Sequence, residues 1–585
     1  MVNAFLNYLK LDNQSTDILL KEIFINEDAR LFHFFKAHKY REHFDISEKK
    51  PISIHQIDEQ IIKLNLGWSC RKKEEGNIVE GIDECTKYLN NLMEVVWNRI
   101  QSNLRTIERE ELIKKLLINY EYSDKEKDIW GITFKSNLAL QEDKDNLYKV
   151  AINKISKYNA TSLSSRLVIE MAICECSVNC GKSVSKLDIQ ELLSLASFMH
   201  LIGGLSEAIK YEAITPRIVI SSFGDILFEQ SFNEMIMHKF GYMTSQKNLD
   251  YESTKYSEKF KEKEYTKETN HLFEKGFMDA YIDEFDYTID DARLFLDFLE
   301  NYGLKINELV YSITYNELIE KFNEDEKEIF SKVLDSLIIH TRRDWTSIPK
   351  PFKATDWQPW KFRRRYSIIM KPIIEIDSFE CTLIISPELV RRGYFNLIRN
   401  IHEGHLEANQ FQSKQMQKWI GNLVKEKGLS FNTKVKDKFI ELGFNAREEI
   451  KLTEIFNKKI IEDFGDIDVF AWSKEKNIVY AIECKDLEMA KNQSEIARQL
   501  YEFKGQIRQI NGKDRKDRLY KHYLRYEELK KDLESIIKFT KVDNTFELKA
   551  LVVFSNIVPM NFDENRNFID EIDFLSYEEL NENFN

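Results

Sequence analysis

From residue 1 to about 340, apolar side chains recur at three- and four-residue intervals. The runs LNNLMEVVWNRIQSNLRTI and LDIQELLSLASFMHLIGGLSEAIKY show the spacing that makes one face of a helix apolar. The pattern predicts a mostly helical region over 1–340 with no fixed repeat, so a solenoid is not expected. One stretch inside it, TSQKNLDYESTKYSEKFKEKEYTKETNH (244–271), has too few aliphatic residues to bury a face and reads as an exposed insertion or mobile linker. Near residue 341 the pattern changes. The segment 341–376 holds four of the eight prolines and three of the eight tryptophans, and it ends in the strand-like YSIIMKPIIEI, soon followed by CTLIISP. With the connecting helices PELVRRGYFNLIRNIHEG and QSKQMQKWIGNLVKEKG, residues 341–427 read as a junction with a small β element. The remainder, 428–585, predicts a helix (431–442), strands over 444–452, 466–473 and 478–484, a helix (494–510) and a strand (547–554). KEKN forms the tight link between the second and third strands. The fold expected is α+β: a large helical N-terminal region, then a C-terminal α/β domain built on a mixed sheet.

Composition refines this picture only modestly. A chain of 585 residues is too long for one core and suggests about three or four units. The net charge of −13 argues against a protein that coats nucleic acid indiscriminately, while a local basic groove remains compatible with it. Seven scattered cysteines fit reduced thiols better than a disulfide framework. The first twenty residues interrupt their apolar positions with Asn, Lys and Asp, unlike a secretory signal, and no window approaches the roughly 18 apolar residues of a membrane helix. A cytoplasmic protein without a membrane segment is expected.

The candidate chemistry lies in FGDIDVFAWSKEKNIVYAIECKDLE (464–488), where acids interrupt two runs that otherwise read as buried strands. Ionised groups are costly to bury unless they pair or hold a metal. Alternation puts Val479, Ala481, Glu483 and Lys485 on one face, and a short hairpin brings Asp468, which shares a face with Asp466, opposite the end of that pair. Two carboxylates converging near a lysine make a hard oxygen site for Mg²⁺ or Mn²⁺, with a cation beside it for phosphate or water. Acids on a solvated sheet face are the alternative.

Gly465-Asp466-Ile467-Asp468-Val469, followed after the hairpin by Ile482-Glu483-Cys484-Lys485, resembles the PD-(D/E)XK, restriction-endonuclease-like, phosphodiesterase superfamily. The likeness is strongest to its Mrr-like and Holliday-junction-resolvase-like branches and covers roughly 428–580. It implies that Asp468 and Glu483 bind the metal, that Lys485 orients or polarises the attacking water, and that Gln499, on the following helix, faces the site. Asn432 stands where relatives often carry a glutamate on the helix before the sheet, which puts a second metal in doubt unless Glu449 substitutes. The implied activity is metal-dependent hydrolysis of phosphodiester bonds, in DNA foremost and RNA as the second candidate. The large helical partner region suggests bacterial defence against phage or foreign DNA, with that region acting as sensor, regulator, oligomerisation module or receiver of a protein trigger. The competing reading is a nuclease-like fold that binds nucleic acid or protein without cutting.

Residues 504–531 carry ten Lys or Arg against four Asp or Glu, with tyrosines interleaved. Lys513, Arg515, Lys516 and Arg518 are the candidate nucleic-acid contacts, against the alternative of an exposed charged helix. A second basic cluster, Arg342, Arg343 and 361–365 with Trp357 and Trp360, reads first as the domain junction. CGKS (180–183) lacks the first glycine of a phosphate loop, Cys174, Cys176 and Cys180 lack a clear fourth ligand, and HEGH (402–405) is one residue short of zinc-protease spacing.

Overall fold

The computed structural model describes residues 40–584 apart from 45–48, 55, 72–75, 139–143, 179, 259–272, 362–363, 461, 463 and 511. The expectation about the first twenty residues lies outside this range, as does the part of the polar stretch beyond 258.

Helices α1 (Ile82–Leu104), α2 (Arg109–Leu138), α3 (Lys144–Glu175) and α4 (Lys186–Lys210) form the N-terminal body. On α1 the stripe Leu89, Leu92, Val96 and Ile100 is fully buried, as its three- and four-residue spacing requires. Helix α4 starts at a reciprocal cap: the Ser185 hydroxyl accepts from the Asp188 N–H, and the Asp188 carboxylate accepts from the Ser185 N–H. By length and composition α4 could cross a membrane, yet 72% of its apolar window is buried inside the protein. It is apolar all round because α1 and α3 pack against it, as does a helix from the far end of the chain.

The helical region also holds a small antiparallel sheet, β1 (Gly76–Glu80), β2 (Arg217–Ser221) and β3 (Ile226–Phe228), that the periodicity does not announce. The expectation of an exposed insertion or mobile linker over 244–271 is corrected in part, because a helix runs over His238–Glu258. Its apolar stripe is sparse, with Tyr242 and Leu249 packing beside Phe134. Polar contacts supply the rest: the Tyr148 hydroxyl donates to Asp250, and Lys247 pairs with Glu578.

The composition change near 341 falls inside one sheet. Strands β4 (Tyr311–Thr314) and β5 (Ile338–Ile339) precede it, β6 (Ile373–Asp377) and β7 (Thr382–Ile385) follow it, and the order is β4-β7-β6-β5. The Trp- and Pro-rich segment between β5 and β6 lies on the helical body. Trp360 packs so closely on α4 that a Cβ at Gly203 would sit 1.9 Å from its ring. The nearly buried Arg364 guanidinium pairs with Glu170 at 2.5 and 3.0 Å, and Lys361 pairs with Glu207 at 2.7 Å. These members of the second basic cluster therefore bind the junction to the helices.

Helix α5 (Lys414–Glu441) joins two helices that the sequence pattern separates at Gly428. A Cβ there would meet nothing, so this glycine costs only its propensity, about 1 kcal/mol. Both ends are anchored, Met416 and Ile420 in one core and Phe431, Val435 and Phe439 in another. The latter covers one face of a five-stranded mixed sheet of order β14-β13-β10-β9-β8, comprising β8 (Asn445–Lys451), β9 (Asp466–Ser473), β10 (Ile478–Lys485), β13 (Glu547–Phe554) and β14 (Ile572–Ser576). The first three form the expected antiparallel meander, and β13 and β14 add in parallel.

Helix α6 (Gln493–Glu502) is shorter than the predicted helix 494–510. Gly505, at φ +80°, breaks it beside Asn567 and Phe568, and the chain continues as a hairpin of β11 (Ile507–Ile510) and β12 (Lys513–Lys516). Helices α7 (Arg518–Lys530) and α8 (Leu533–Thr540) then cover the second sheet face, where Leu529 and Ile536 meet Phe470, Val479 and Ala481. On α6, Ile496, Ala497 and Leu500 belong to the same hydrophobic core as α1 to α4. The helical region and the C-terminal sheet thus share buried surface.

Candidate functional site

The alternation on β10 is realised. Cys484 and Ile482 face α5, while Val479 and Ala481 face α7 and α8, and Glu483 and Lys485 continue that second face to the strand's end. Gly465 enters β9 at φ +75°, a left-handed backbone that favours glycine and explains the first letter of the Gly-Asp-Ile-Asp run. The β9–β10 ladder ends at the pair Ile482 and Val469. One position on, the Asp468 carboxylate takes the Cys484 N–H at 2.8 Å, so a side chain replaces the neighbouring backbone as hydrogen-bond acceptor. This places the Asp468 carboxylate between the two strand ends.

Three oxygens surround the Lys485 ammonium: Glu483 Oε1 at 2.6 Å, the Cys484 carbonyl at 3.0 Å and Asp468 Oδ2 at 3.1 Å. The Asp468 and Lys485 side chains keep 21% and 23% exposure, while Glu483 keeps 9%, so the group is reachable from one side. Burial, then the Glu483 charge, pushes the Asp468 carboxyl above its usual range. Burial also acts to lower the Lys485 pKa, but Glu483 and Asp468 more than offset it and hold the ammonium protonated. The donors around that ammonium are hard oxygens of the type Mg²⁺ and Mn²⁺ take, and a cation already sits among them, so this set fits the implied ion. Among the described residues no cluster of three or more His, Cys, Asp or Glu side chains has metal-holding spacing, and the set here is two carboxylates and a carbonyl.

Two further residues meet this site from α7. The Arg525 guanidinium donates to Glu483 Oε2 and to the Asp466 carbonyl, tying both strands to the helix. His522 is fully buried with Nδ1 3.9 Å from Glu483 Oε2, and burial, reinforced by Arg525, pushes its imidazole down to about 3, so it is neutral. Sequence reasoning missed both. The available signal was two polar residues on the core-facing stripe of α7, alongside Leu519, Tyr526 and Leu529, where a surface helix should be apolar.

Other predicted residues lie elsewhere. Asp466 is half-exposed, 3.9 Å from the Lys451 ammonium. Gln499 donates to the Glu488 carbonyl at 2.7 Å and lines a cavity of 350 Å³ with Arg498 and Lys353, and no contact with Asp468, Glu483 or Lys485 is among its hydrogen bonds in the described residues. Asn432 is buried on α5, which covers the opposite sheet face. Glu449 is exposed on β8 at φ +51°, between the ladder pairs Glu448–Val469 and Ile450–Ile467 and so level with Asp468.

Lys513, Arg515 and Lys516 stand exposed on β12, with Arg518 opening α7. The alternative of an exposed charged helix is corrected here, because three of the four basic residues stand on a hairpin strand. Asp517 fixes its base, accepting from the N–H groups of Gly505, Gln506 and Tyr520, each at 2.8 Å. Lys516 pairs with Glu462 at 3.3 Å and Arg518 with Glu502 at 3.1 Å. The decoy motifs do not converge: Cys176 is buried, Cys180 is exposed, and His402 packs against the rings of Phe277 and Trp419.

No curated protein and no solved structure matches the chain. The Upx-like anti-phage protein family matches it over residues 1–574, and the chain belongs to that family.

Proposed function

We propose that this protein, whose family membership gives it a role in phage defence, exerts that role as a metal-dependent phosphodiester hydrolase acting on DNA, with RNA as the second candidate. The observation that carries the reading is the convergence of Asp468, Glu483, the Cys484 carbonyl and Lys485 at the parted ends of β9 and β10. Mg²⁺ or Mn²⁺ held by Asp468 and Glu483 would stabilise charge on the scissile phosphate and acidify water. Lys485 Nζ, freed from the carboxylates, donates to the attacking water or to a phosphate oxygen. Arg525 fixes the Glu483 carboxylate so that one oxygen stays directed at the site. The neutral His522 fills the space behind it without adding charge. On this reading the helical region senses infection or recruits substrate, and the protein works in the cytoplasm.

A second reading has its own support. Lys485 and Arg525 already satisfy both carboxylates, as they would in a module that binds nucleic acid without cutting it. Cleavage in Mg²⁺ that stops in EDTA separates the two. The path of the nucleic acid is tested on the hairpin: changing Lys513, Arg515, Lys516 and Arg518 together to Ala should weaken binding and lower the slope of log affinity against log salt by about 2–4. An unchanged slope would remove the hairpin from the interface.

A further inference from the structure

A cavity of 380 Å³ opens between α2, α3, α4, the Trp-rich segment and the N-terminal end of α6. Its charge is one-sided. Lys127, Arg166, Lys361, Arg364 and Lys491 line it against the single carboxylate of Glu170, which the Arg364 guanidinium already occupies. Lys127, Lys361 and Lys491 have partners on Asp124, Glu207 and Glu488, none of which lines the cavity. Arg166 makes no ion pair among the described residues. Its Nε donates to the Ser162 carbonyl at 3.3 Å, and its guanidinium lies 6.0 Å from the Tyr120 ring centroid. The Ser162 side chain, 3% exposed, lines the same wall, and its hydroxyl has no hydrogen-bond partner among the described residues. An arginine with no directly paired carboxylate, beside an unsatisfied buried hydroxyl, is an arrangement that an anion completes. Leu163, Pro359, Ile369 and the Tyr120 ring form an apolar wall, while Asn159, His200, Ser367 and Asn492 add polar groups elsewhere in the lining.

We propose that this cavity is a binding site for a nucleoside phosphate, its phosphate held by Arg166, Lys491 and the Ser162 hydroxyl and its base laid on the apolar wall. The volume lies toward the lower end of the about 300–1,000 Å³ typical of small-ligand sites, which suits a mononucleotide. The placement also gives the site a route to the catalytic strand. Lys491 and Asn492 belong to the short segment that leaves β10 after Lys485 and enters α6. Asn492 caps α6 by accepting from the Glu495 N–H and donates to the Trp360 carbonyl, so one residue links the junction to the chain just beyond the carboxylate pair. A ligand drawing Lys491 into the cavity therefore acts on that segment, and the helical region becomes the sensor of a small phosphorylated signal. The binding claim is independent of the nuclease reading.

The test is thermal unfolding of the full-length protein in EDTA, which keeps metal-dependent binding at the carboxylates out of the measurement. The additions are AMP, GMP, CMP, UMP, ADP and ATP, with adenosine and sodium sulfate as controls. At least one nucleotide should raise the unfolding midpoint by about 3 °C or more at millimolar concentration, with no rise from adenosine and a smaller one from sulfate. Arg166→Gln should weaken the apparent affinity at least about tenfold, and Lys491→Gln should weaken it measurably, whereas the exposed Lys305→Gln should leave it unchanged. Should Arg166→Gln fail to fold, the surface variant Lys491→Gln decides alone. No stabilisation by any nucleotide, a rise that sulfate equals, or an undiminished response in Lys491→Gln would overturn the proposal.

Discussion

Cells carrying Asp468→Asn or Glu483→Gln in place of the natural chain are expected to lose phage protection, with plaque counts rising to those of unprotected cells. Each change removes a charge from the oxygen set around Lys485 while keeping the shape of the side chain. In vitro the loss of turnover should be on the order of 10³-fold or more, because binding and positioning survive without the metal-assisted step. The choice of Gln at 483 follows from the structure. Glu483→Ala would leave the nearly buried Arg525 without its carboxylate, and breaking a buried pair costs about 3–5 kcal/mol, enough to confuse unfolding with inactivation. Asp468→Asn is the cleaner variant of the two. Its side chain still offers an oxygen to the Cys484 N–H, so its unfolding midpoint should stay within a few degrees of the natural chain. Full protection by either variant, at equal protein level, would remove these residues from the mechanism.

The second large effect concerns the division of the chain. A fragment of residues 366–585 is expected to be insoluble, or to unfold without a cooperative transition. The composition change near 341 suggests the opposite, a self-contained C-terminal unit. The structure argues against it on two grounds. Cutting at 366 strips β4 from the exposed edge of β7 and β5 from β6. It also uncovers α6, where Ile496 and Leu500 share a core with the N-terminal helices and Gln493 reaches within 2.7 Å of where a Cβ on Gly204 would lie. A fully buried large apolar side chain contributes about 1.5–3 kcal/mol, so losing half the burial of Ile496, Leu500 and Phe503 removes roughly 2–5 kcal/mol from a stability of the usual 5–15. Circular dichroism and urea titration of the fragment decide the matter. A cooperative transition with a midpoint near that of the full chain would restore the independent domain.

What the sequence made legible was what one segment decides by itself. The strands over Asp466–Ser473 and Glu547–Phe554 fall at the expected residues, because alternation and β-branched content agree there with burial in the sheet centre. The pairing of Asp468 with Glu483 and Lys485 followed from a period of two and a short turn. What was hidden depended on distant partners. Gly428 reads as a stop, but α5 passes through it because cores at both ends hold the helix. The hairpin 507–516 was masked by basic residues that read equally well as a helix surface, and only Gly505 and Asp517 fix it. Arg525 and His522 reach Glu483 from about forty residues away, a distance at which periodicity carries no information. The boundary near 341 shows the same limit, since proline and tryptophan there mark a strap laid across the helices.

The central claim is that the oxygen set at the ends of β9 and β10 supports metal-dependent cleavage of nucleic acid. Its most direct test incubates the purified full-length protein, beside Asp468→Asn, with supercoiled plasmid, linear duplex and single-stranded RNA in Mg²⁺, Mn²⁺ or EDTA. The natural chain is expected to cut at least one DNA substrate in Mg²⁺ or Mn²⁺ and none in EDTA, and the variant to cut none in any buffer. Retained binding without cutting under every metal condition, including in the presence of the nucleotides that occupy the α2–α4 cavity, would contradict it and leave a binding module in its place.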